Sequence, residues 1–400
     1  MKILFLCNKS PWPPKEGGPM AMNMLIEGLC LAGHQVKVLA LNSFKYYVSP
    51  ADIPGAYLEK TGIELIDVDL HIKPLHAFLN LFSSESYHVK RFISGKFRER
   101  LAGVLKAGEF DVVQIETLYM CPYVETIRRH SRARIVLRAH NIEHLIWQRI
   151  ADTTSNPVKK RYVGHLARTL KIFEENAIGT CDGIMAITPT DADYFRRYVP
   201  SSIPVIDLPF GVDPEKYKPD NREVEFPSLF SLGSMNWMPN EEGIRWFLLN
   251  VWLDVHKQFP DLKYYIAGRG MPKWMLNLDL PNVVVLGEVP DAPAFLASKA
   301  IMVVPLFSGS GIRIKIIEGM AAGKTIVSTS LGAEGIRCTN HENILIANAP
   351  CEFFEMISLC AADRELSEKI GKQAQTLIET DYLPHNIIQS MLAFYKQLIC

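Results

Sequence analysis

Short runs rich in Ile, Val and Leu alternate with longer amphipathic stretches through almost all of the 400 residues. That alternation is the pattern of βα units wound around a parallel sheet. The runs fall into two series. The first predicts strands near 2–7, 35–41, 63–68, 111–115, 133–139, 182–187 and 203–207, and the second near 228–233, 262–267, 282–286, 300–304, 324–329 and 343–347. Each series suffices for one doubly wound α/β sheet. Between them, LPFGVDPEKYKPDNREVEFP is dense in Pro, Gly and Asp and reads as a linker with its boundary near residue 220. The expected organisation is a Rossmann-like domain over 1–207, a linker over 208–227, a second Rossmann-like domain over 228–380, and an amphipathic helix over 381–400.

Composition narrows the function. With 48% hydrophobic and 22% charged residues, the chain is of ordinary globular type. Lys plus Arg equals Asp plus Glu at 43 each, which removes the global positive field of a nucleic-acid binder. The balance hides an asymmetry, with 26 basic against 20 acidic residues in 1–200 and 17 against 23 in 201–400. The eight cysteines are dispersed, with no CxxC and no Cys/His cluster at zinc-finger spacing, so they read as free thiols in a reducing compartment. No window reaches the roughly 20 apolar residues of a membrane span. MKILFLCNKS reads as a first strand and not as a signal peptide. The expected location is cytoplasmic, with a peripheral place at the inner face of the cell membrane as an option.

Three segments could carry chemistry. Gly17 and Gly18 follow the first predicted strand, where backbone can approach a ligand and a helix N-terminus can meet an anion. A tight turn needing positive φ is the alternative reading. The GxGxxG fingerprint is absent there, and Gly309-Ser310-Gly311 places Ile314 where the third glycine belongs, which argues against NAD. The second segment, Val303 to Gly323, is the densest: a strand, a Gly/Ser turn, then a helix opening with Arg313 and Lys315 and carrying Glu318. Cations are misplaced at a helix N-terminus unless an anion joins them. A phosphate on glycine N–H groups, with Arg313 as a bidentate fork and Lys315 as a point charge, resolves the conflict. Residues two apart lie about 200° apart on a helix, so both cations reach one phosphate only if Arg313 precedes the first full turn. A surface ion pair between Lys315 and Glu318 is the competing reading.

The third segment runs the strand 133–139 into His140, at the strand end where ligands of open α/β sheets gather. His140, Glu143 and His144 could share a helix face, but they form no HExxH and have no further ligand cluster, so no metal is expected. Asp67-Val68-Asp69 and Asp191-Ala192-Asp193 match the DxD of some metal-dependent transferases, a pattern common by chance.

Together these segments resemble the retaining glycosyltransferases of glycosyltransferase family 4. The resemblance implies the GT-B architecture, in which two Rossmann-like doubly wound parallel-sheet domains face each other and a C-terminal helix crosses back to the first. It spans nearly the whole chain and rests on Gly17-Gly18, Gly33-His34, Gly211-Val212-Asp213, Leu286-Gly287-Glu288-Val289, Pro305 to Gly323 and the terminal helix. The runs Gly233 to Asn240 and Gly309 to Lys315 resemble a subgroup of cell-envelope and exopolysaccharide assembly. Such an enzyme is a metal-independent hexosyltransferase without a cofactor, taking a nucleotide sugar as donor and a glycan or lipid-linked sugar as acceptor.

The resemblance also implies residue roles. His140 lies near the donor sugar, Gly17, Gly18, Gly311, Arg313 and Lys315 surround the diphosphate, and Gly268 and Val289 border the base. Glu318 matches the second of the family's two glutamates, which holds the ribose hydroxyls. Ser310 stands where the first belongs; a hydroxyl can bond a sugar but brings no negative charge to an oxocarbenium-like transition state. The family often has cations in the loop after the second domain's first strand. Here Ser234 to Asn240 has none, which leaves that role to Arg313 and Lys315. On the acceptor side, Lys90 to Arg100 and the arginines 128, 129, 132 and 134 are a candidate surface for anionic lipid, with a solvated helix face as the alternative. Competing functions are a nucleotide-sugar 2-epimerase of the same fold and a degenerate nucleotide-sugar-binding partner subunit.

Overall fold

The computed structural model describes residues 1–15, 17–71, 73, 80–81, 83–217, 223–309 and 311–400. The chain divides into two compact units, Met1–Pro209 together with Ile387–Cys400, and Phe210–Asn386. The first unit holds β1 (Lys2–Cys7), β2 (Gln35–Ser43), β3 (Glu64–Val68), β4 (Val112–Glu116), β5 (Arg134–Ala139), β6 (Gly183–Ala186) and β7 (Val205–Asp207). They form a parallel sheet in the order β3-β2-β1-β4-β5-β6-β7. The second unit holds β8 (Ser228–Leu232), β9 (Lys263–Ala267), β10 (Val283–Gly287), β11 (Ile301–Val304), β12 (Thr325–Ser328) and β13 (Leu345–Ile346). These too are parallel, in the order β10-β9-β8-β11-β12-β13. Every strand expected from the sequence forms. In each sheet the winding reverses once, between β1 and β4 and between β8 and β11, and at such a point ligands bind beyond the carboxyl ends of the strands.

The apolar runs have a physical reason. In β1, Leu4 and Leu6 enter one core while Ile3, Phe5 and Cys7 enter the other, so a strand covered on both faces has no polar side to show. The first core is filled by Phe97 and Leu101 of the helix Gly95–Ala107 and by Leu170 of the helix Pro157–Ile178. The other takes Met22, Leu25, Ile26 and Leu29 of the helix Gly17–Leu31, and Ile387, Ile388, Met391, Phe394 and Tyr395 of the helix Pro384–Ile399. The terminal helix thus completes one face of the first sheet. Two glycines make room for it: a Cβ on Gly28 would lie 2.6 Å from Ile388 Cγ1, and one on Gly183 2.8 Å from Phe394 Cζ. In the second unit, Leu229, Ile266, Ile301 and Val303 of the sheet pack with Phe247, Trp252, Phe353 and Ile357.

The stretch Lys90 to Arg100 differs from the expected basic and aromatic surface. Phe97 is fully buried, and Phe92 stacks on Tyr119 with ring centroids 4.7 Å apart. Lys90 pairs with Glu85 at 2.7 Å, and Arg100 is held by Glu64. These rings serve the core because the helix starting at Gly95 needs an apolar side to seat on the sheet. Among the described residues no helix is long and apolar enough to cross a membrane.

Candidate functional site

In the second unit, helix Ile314–Ala321 begins right after the loop that leaves β11, and Arg313 is its N-cap residue. Arg313 therefore precedes the first turn, the condition under which it and Lys315 can serve one anion. Arg313 is 4% exposed. Its Nη1 donates to the Gly311 carbonyl, and its guanidinium lies 5.5 Å from the Trp237 ring centroid. Lys315 Nζ donates to Asn240 Oδ1 at 2.7 Å, and Asn240 Nδ2 in turn donates to the Ser234 carbonyl at 2.8 Å. Burial, with the Arg313 charge beside it, pulls the Lys315 ammonium down to about 7. The first turn of this helix holds no acidic residue. Two cations at the positive end of a helix make a place where an anion would be favoured. Lys315 and Glu318 do not pair with each other as the competing reading had it. Glu318 Oε1 accepts the Tyr217 hydroxyl at 2.8 Å, and burial raises its pKa while Tyr217 opposes the rise.

Glycines let the strand ends converge around this helix. Gly268, with φ 142°, donates its N–H to the Gly287 carbonyl at 2.7 Å. A Cβ there would stand 1.7 Å from the Gly233 carbonyl oxygen, so only glycine fits. Gly309 faces Trp237, its added Cβ lying 2.7 Å from Cζ2. Val289 is half-buried two residues beyond β10. Gly311 takes φ 80° in the loop ahead of Arg313. Ser310 lies outside the described residues. Trp237 and Asn240 were not singled out by sequence reasoning, although the loop that carries them was; their signal was an aromatic and an amide next to a strand-end glycine.

In the first unit, Gly17 and Gly18 open the helix Gly17–Leu31, whose first turn has no acidic residue. A Cβ on Gly18 would lie 3.1 Å from Lys9 Cε and 3.3 Å from its Nζ, so Gly18 leaves room for a cation that the sequence reading passed over. Lys9 also lies over the Tyr46 ring, 4.4 Å from its centroid. His140 follows β5 directly, and its Nε2 is 2.6 Å from Oε2 of Glu116, the last residue of β4. Glu116 and Arg138 are fully buried register partners across β4 and β5, with Arg138 Nη1 3.5 Å from Glu116 Oε2. Burial drives the Glu116 pKa up, but Arg138, His140 and Gln114 together hold it below the ordinary carboxylate range. Burial lowers that of His140, against the pull of Glu116. Glu116 was not foreseen. Its trace in the sequence is a carboxylate closing the strand run Val112 to Ile115, in which Gln114 is also polar.

Glu143 and His144 do other work. Glu174 accepts both of their backbone N–H groups, at 3.0 and 3.2 Å, and takes the His144 ring at 2.5 Å. Tyr119 donates to Glu143 Oε2 at 2.8 Å, and burial raises the Glu143 carboxyl to about 7. Together they close the start of helix Glu143–Thr153. The Asp pairs are engaged locally: Asn42 donates to Asp67 at 2.9 Å, Asp69 pairs with His71 and Lys73, and Asp193 pairs with Arg196. Among the described residues no three His, Cys, Asp or Glu are grouped to hold a metal ion.

Residues 227–363 match the family model described as Glycosyl transferases group 1. An uncharacterized 44.6 kDa protein of the cps region of Klebsiella pneumoniae is 24% identical over 402 residues, covering 98% of each chain. Among solved structures, sucrose-phosphate synthase of Thermosynechococcus elongatus superposes with a TM-score of 0.71 at 15% identity, covering 100% of this chain and 99% of that one. Anabaena Alr3699/HepE in complex with UDP gives 0.68 at 15% identity, covering 99% of this chain and 100% of that one. The fold is GT-B.

Proposed function

Because residues 227–363 match the family model described as Glycosyl transferases group 1, we propose that the chain moves a hexosyl group from a nucleotide-diphosphate sugar to an acceptor hydroxyl, with retention and without a metal. The observation that carries this reading is the placement of Arg313 and Lys315 together at the N-terminus of one helix. In the reaction the bond between the anomeric carbon and the phosphate oxygen breaks, and the acceptor oxygen bonds to the same carbon on the same face. The acceptor proton passes to the departing phosphate. Arg313, Lys315 and the helix N–H groups offset the charge that grows on that phosphate. Comparable fixed donors are each worth about 3–4 kcal/mol of barrier. Gly17, Gly18 and Gly311 give close backbone approach to the diphosphate, Glu318 takes the ribose hydroxyls, and Gly268 and Val289 border the base. His140 and Ser310 address the donor sugar.

The UDP bound by the Anabaena protein and the cps-region setting of the Klebsiella relative support a nucleotide-sugar donor and a glycan or lipid-linked acceptor in polysaccharide or cell-envelope biosynthesis. A lipid-linked acceptor would bring the chain to the inner face of the cell membrane, and the exposed arginines 128, 129, 132 and 134 are the surface that would meet anionic lipid there. Flotation with anionic vesicles at low salt tests that part. The reading as a whole is tested by thermal-shift titration with UDP, GDP, ADP and NAD, with and without magnesium, on the wild type, Arg313→Ala and Glu318→Ala. A nucleoside diphosphate at 100 times its Kd adds about 2.7 kcal/mol. Stabilisation by one of them, independent of magnesium and lost in both variants, is the expected result; no shift with any nucleotide overturns it. Turnover of the nucleotide sugar without acceptor, giving an epimer, would replace transfer by epimerisation.

A further inference from the structure

A buried chain of side chains leads from the terminal helix to His140, and its hydrogen bonds can run in one direction alone. Glu116 is fully buried and ionised, with Arg138 beside it. An ionised carboxylate has no proton to give. The group facing its Oε1 is Gln114 Nε2, so the Gln114 amide is oriented with its carbonyl toward Tyr395. The Tyr395 hydroxyl, from the helix Pro384–Ile399, then donates to that carbonyl. At the other oxygen the same rule applies to the ring: His140 Nε2 lies 2.6 Å from Glu116 Oε2 and must carry the hydrogen. A neutral imidazole with its proton on Nε2 has a lone pair on Nδ1.

We propose that Glu116 is a positioning residue that fixes His140 as its Nε2–H tautomer and so offers Nδ1 to a donor-sugar hydroxyl, and that Tyr395 closes the far end of the chain by donating to the Gln114 carbonyl. The catalytic consequence rests on the transfer reading of His140 given above; the tautomer does not. Arg138 supports the arrangement, since it keeps the carboxylate charged in a place where burial alone would neutralise it. Lys9 and Arg138 both oppose a charge on the ring, so His140 waits as a neutral acceptor.

Substitution of Glu116 by Gln puts one acceptor oxygen before three donors, namely Gln114 Nε2, Arg138 Nη1 and the His140 ring. Its amide NH2 then faces the ring and favours the other tautomer, with Nε2 as acceptor. Heteronuclear NMR of the full chain, labelled in the histidine ring nitrogens and assigned with His140→Gln, reads this directly. In the wild type we expect a protonated Nε2 and a bare Nδ1 at about pH 7.5, above the ordinary histidine range. In Glu116→Gln the tautomer shifts, and kcat with a nucleotide sugar falls about 10- to 100-fold while KM for the donor stays within about threefold. Tyr395→Phe, which keeps every charge in place, retains the Nε2–H tautomer and lowers kcat at most a few-fold. A wild-type His140 with its proton on Nδ1 overturns the proposal, as does Glu116→Gln with tautomer and kcat unchanged. If Glu116→Gln does not fold, the wild-type and Tyr395→Phe spectra decide. An Nε2–H ring in a protein that turns over no nucleotide sugar upholds the positioning and rejects the transfer reading instead.

Discussion

Tyr217 donates its hydroxyl to Glu318 Oε1 at 2.8 Å, a bond that spans 101 residues of sequence. Tyr217 ends the short helical turn Pro214–Tyr217, while Glu318 sits mid-way along helix Ile314–Ala321. The bond holds one carboxylate oxygen and leaves the other for a ligand. Tyr217→Phe should therefore loosen Glu318 and weaken nucleoside diphosphate binding about 5- to 10-fold, the worth of one charge-assisted hydrogen bond. Isothermal titration measures it; unchanged affinity would remove Glu318 from the binding role assigned to it.

Lys315 gives a pH dependence with a definite sign. Its ammonium is held down to about 7 in the free protein, and a bound diphosphate would favour the charged form and raise it. Above about pH 7 binding must then take up a proton, so affinity falls by as much as tenfold per pH unit until the bound-state value is reached. In the ligand-free protein the unfolded chain binds the extra proton between about 7 and 10.5, so stability should rise with pH across that window. Lys315→Arg, which does not titrate there, should flatten the binding curve.

Glu143 acts on stability with the opposite sign. Its carboxyl is raised from 4.5 to about 7 in the folded protein, so the folded state holds a proton that the unfolded state has released between those values. Its contribution is fully present below about 4.5 and is lost as pH rises through about 7. Glu143→Gln should remove this dependence, visible as a flatter profile of melting temperature against pH. A profile identical to the wild type would mean that Glu143 is ionised in the fold.

Gly268→Ala should be severe. The site combines φ 142° with a Cβ 1.7 Å from the Gly233 carbonyl oxygen, a clash with backbone that no rotamer relieves. About 2–4 kcal/mol of destabilisation is expected, together with loss of any nucleotide-induced shift. Melting curves with and without UDP check both parts.

Gly183→Val tests the seat of the terminal helix. Its Cβ would press on Phe394 Cζ at 2.8 Å and Leu398 Cδ1 at 2.9 Å. Overpacking of this kind costs about 1–3 kcal/mol, and limited proteolysis should release the helix sooner than in the wild type.

What could be read from the sequence follows from how far each signal reaches. The strands are legible because both faces of each sheet are covered, so Ile3 to Cys7 and Ile301 to Val304 stand out as unbroken apolar runs. Arg313 and Lys315 are legible because cations at a helix start contradict a local rule. Tyr217, Asn240, Trp237 and Lys9 are not, since each meets its partner through folding and not through spacing. Glu116 is hidden for the same reason. A glutamate at a strand end looks like a solvated terminus until β5 sets Arg138 and His140 beside it. The aromatics of 90–100 misled because a basic face with Phe in it reads alike whether the rings point outward or, as Phe97 does, into the core.

The helix that seats Tyr395 also sets an order of events during synthesis. Residues Met1–Pro209 leave the ribosome first, yet one face of their sheet stays only partly covered until Ile387–Cys400 have been made. At about 5–20 residues per second, the intervening second unit takes roughly 10 to 35 seconds to translate. Throughout that interval the first unit carries an open apolar groove, and the hydrogen-bonded chain behind His140 lacks its first link. A nascent chain of this protein thus keeps part of its first core open until its last helix is made.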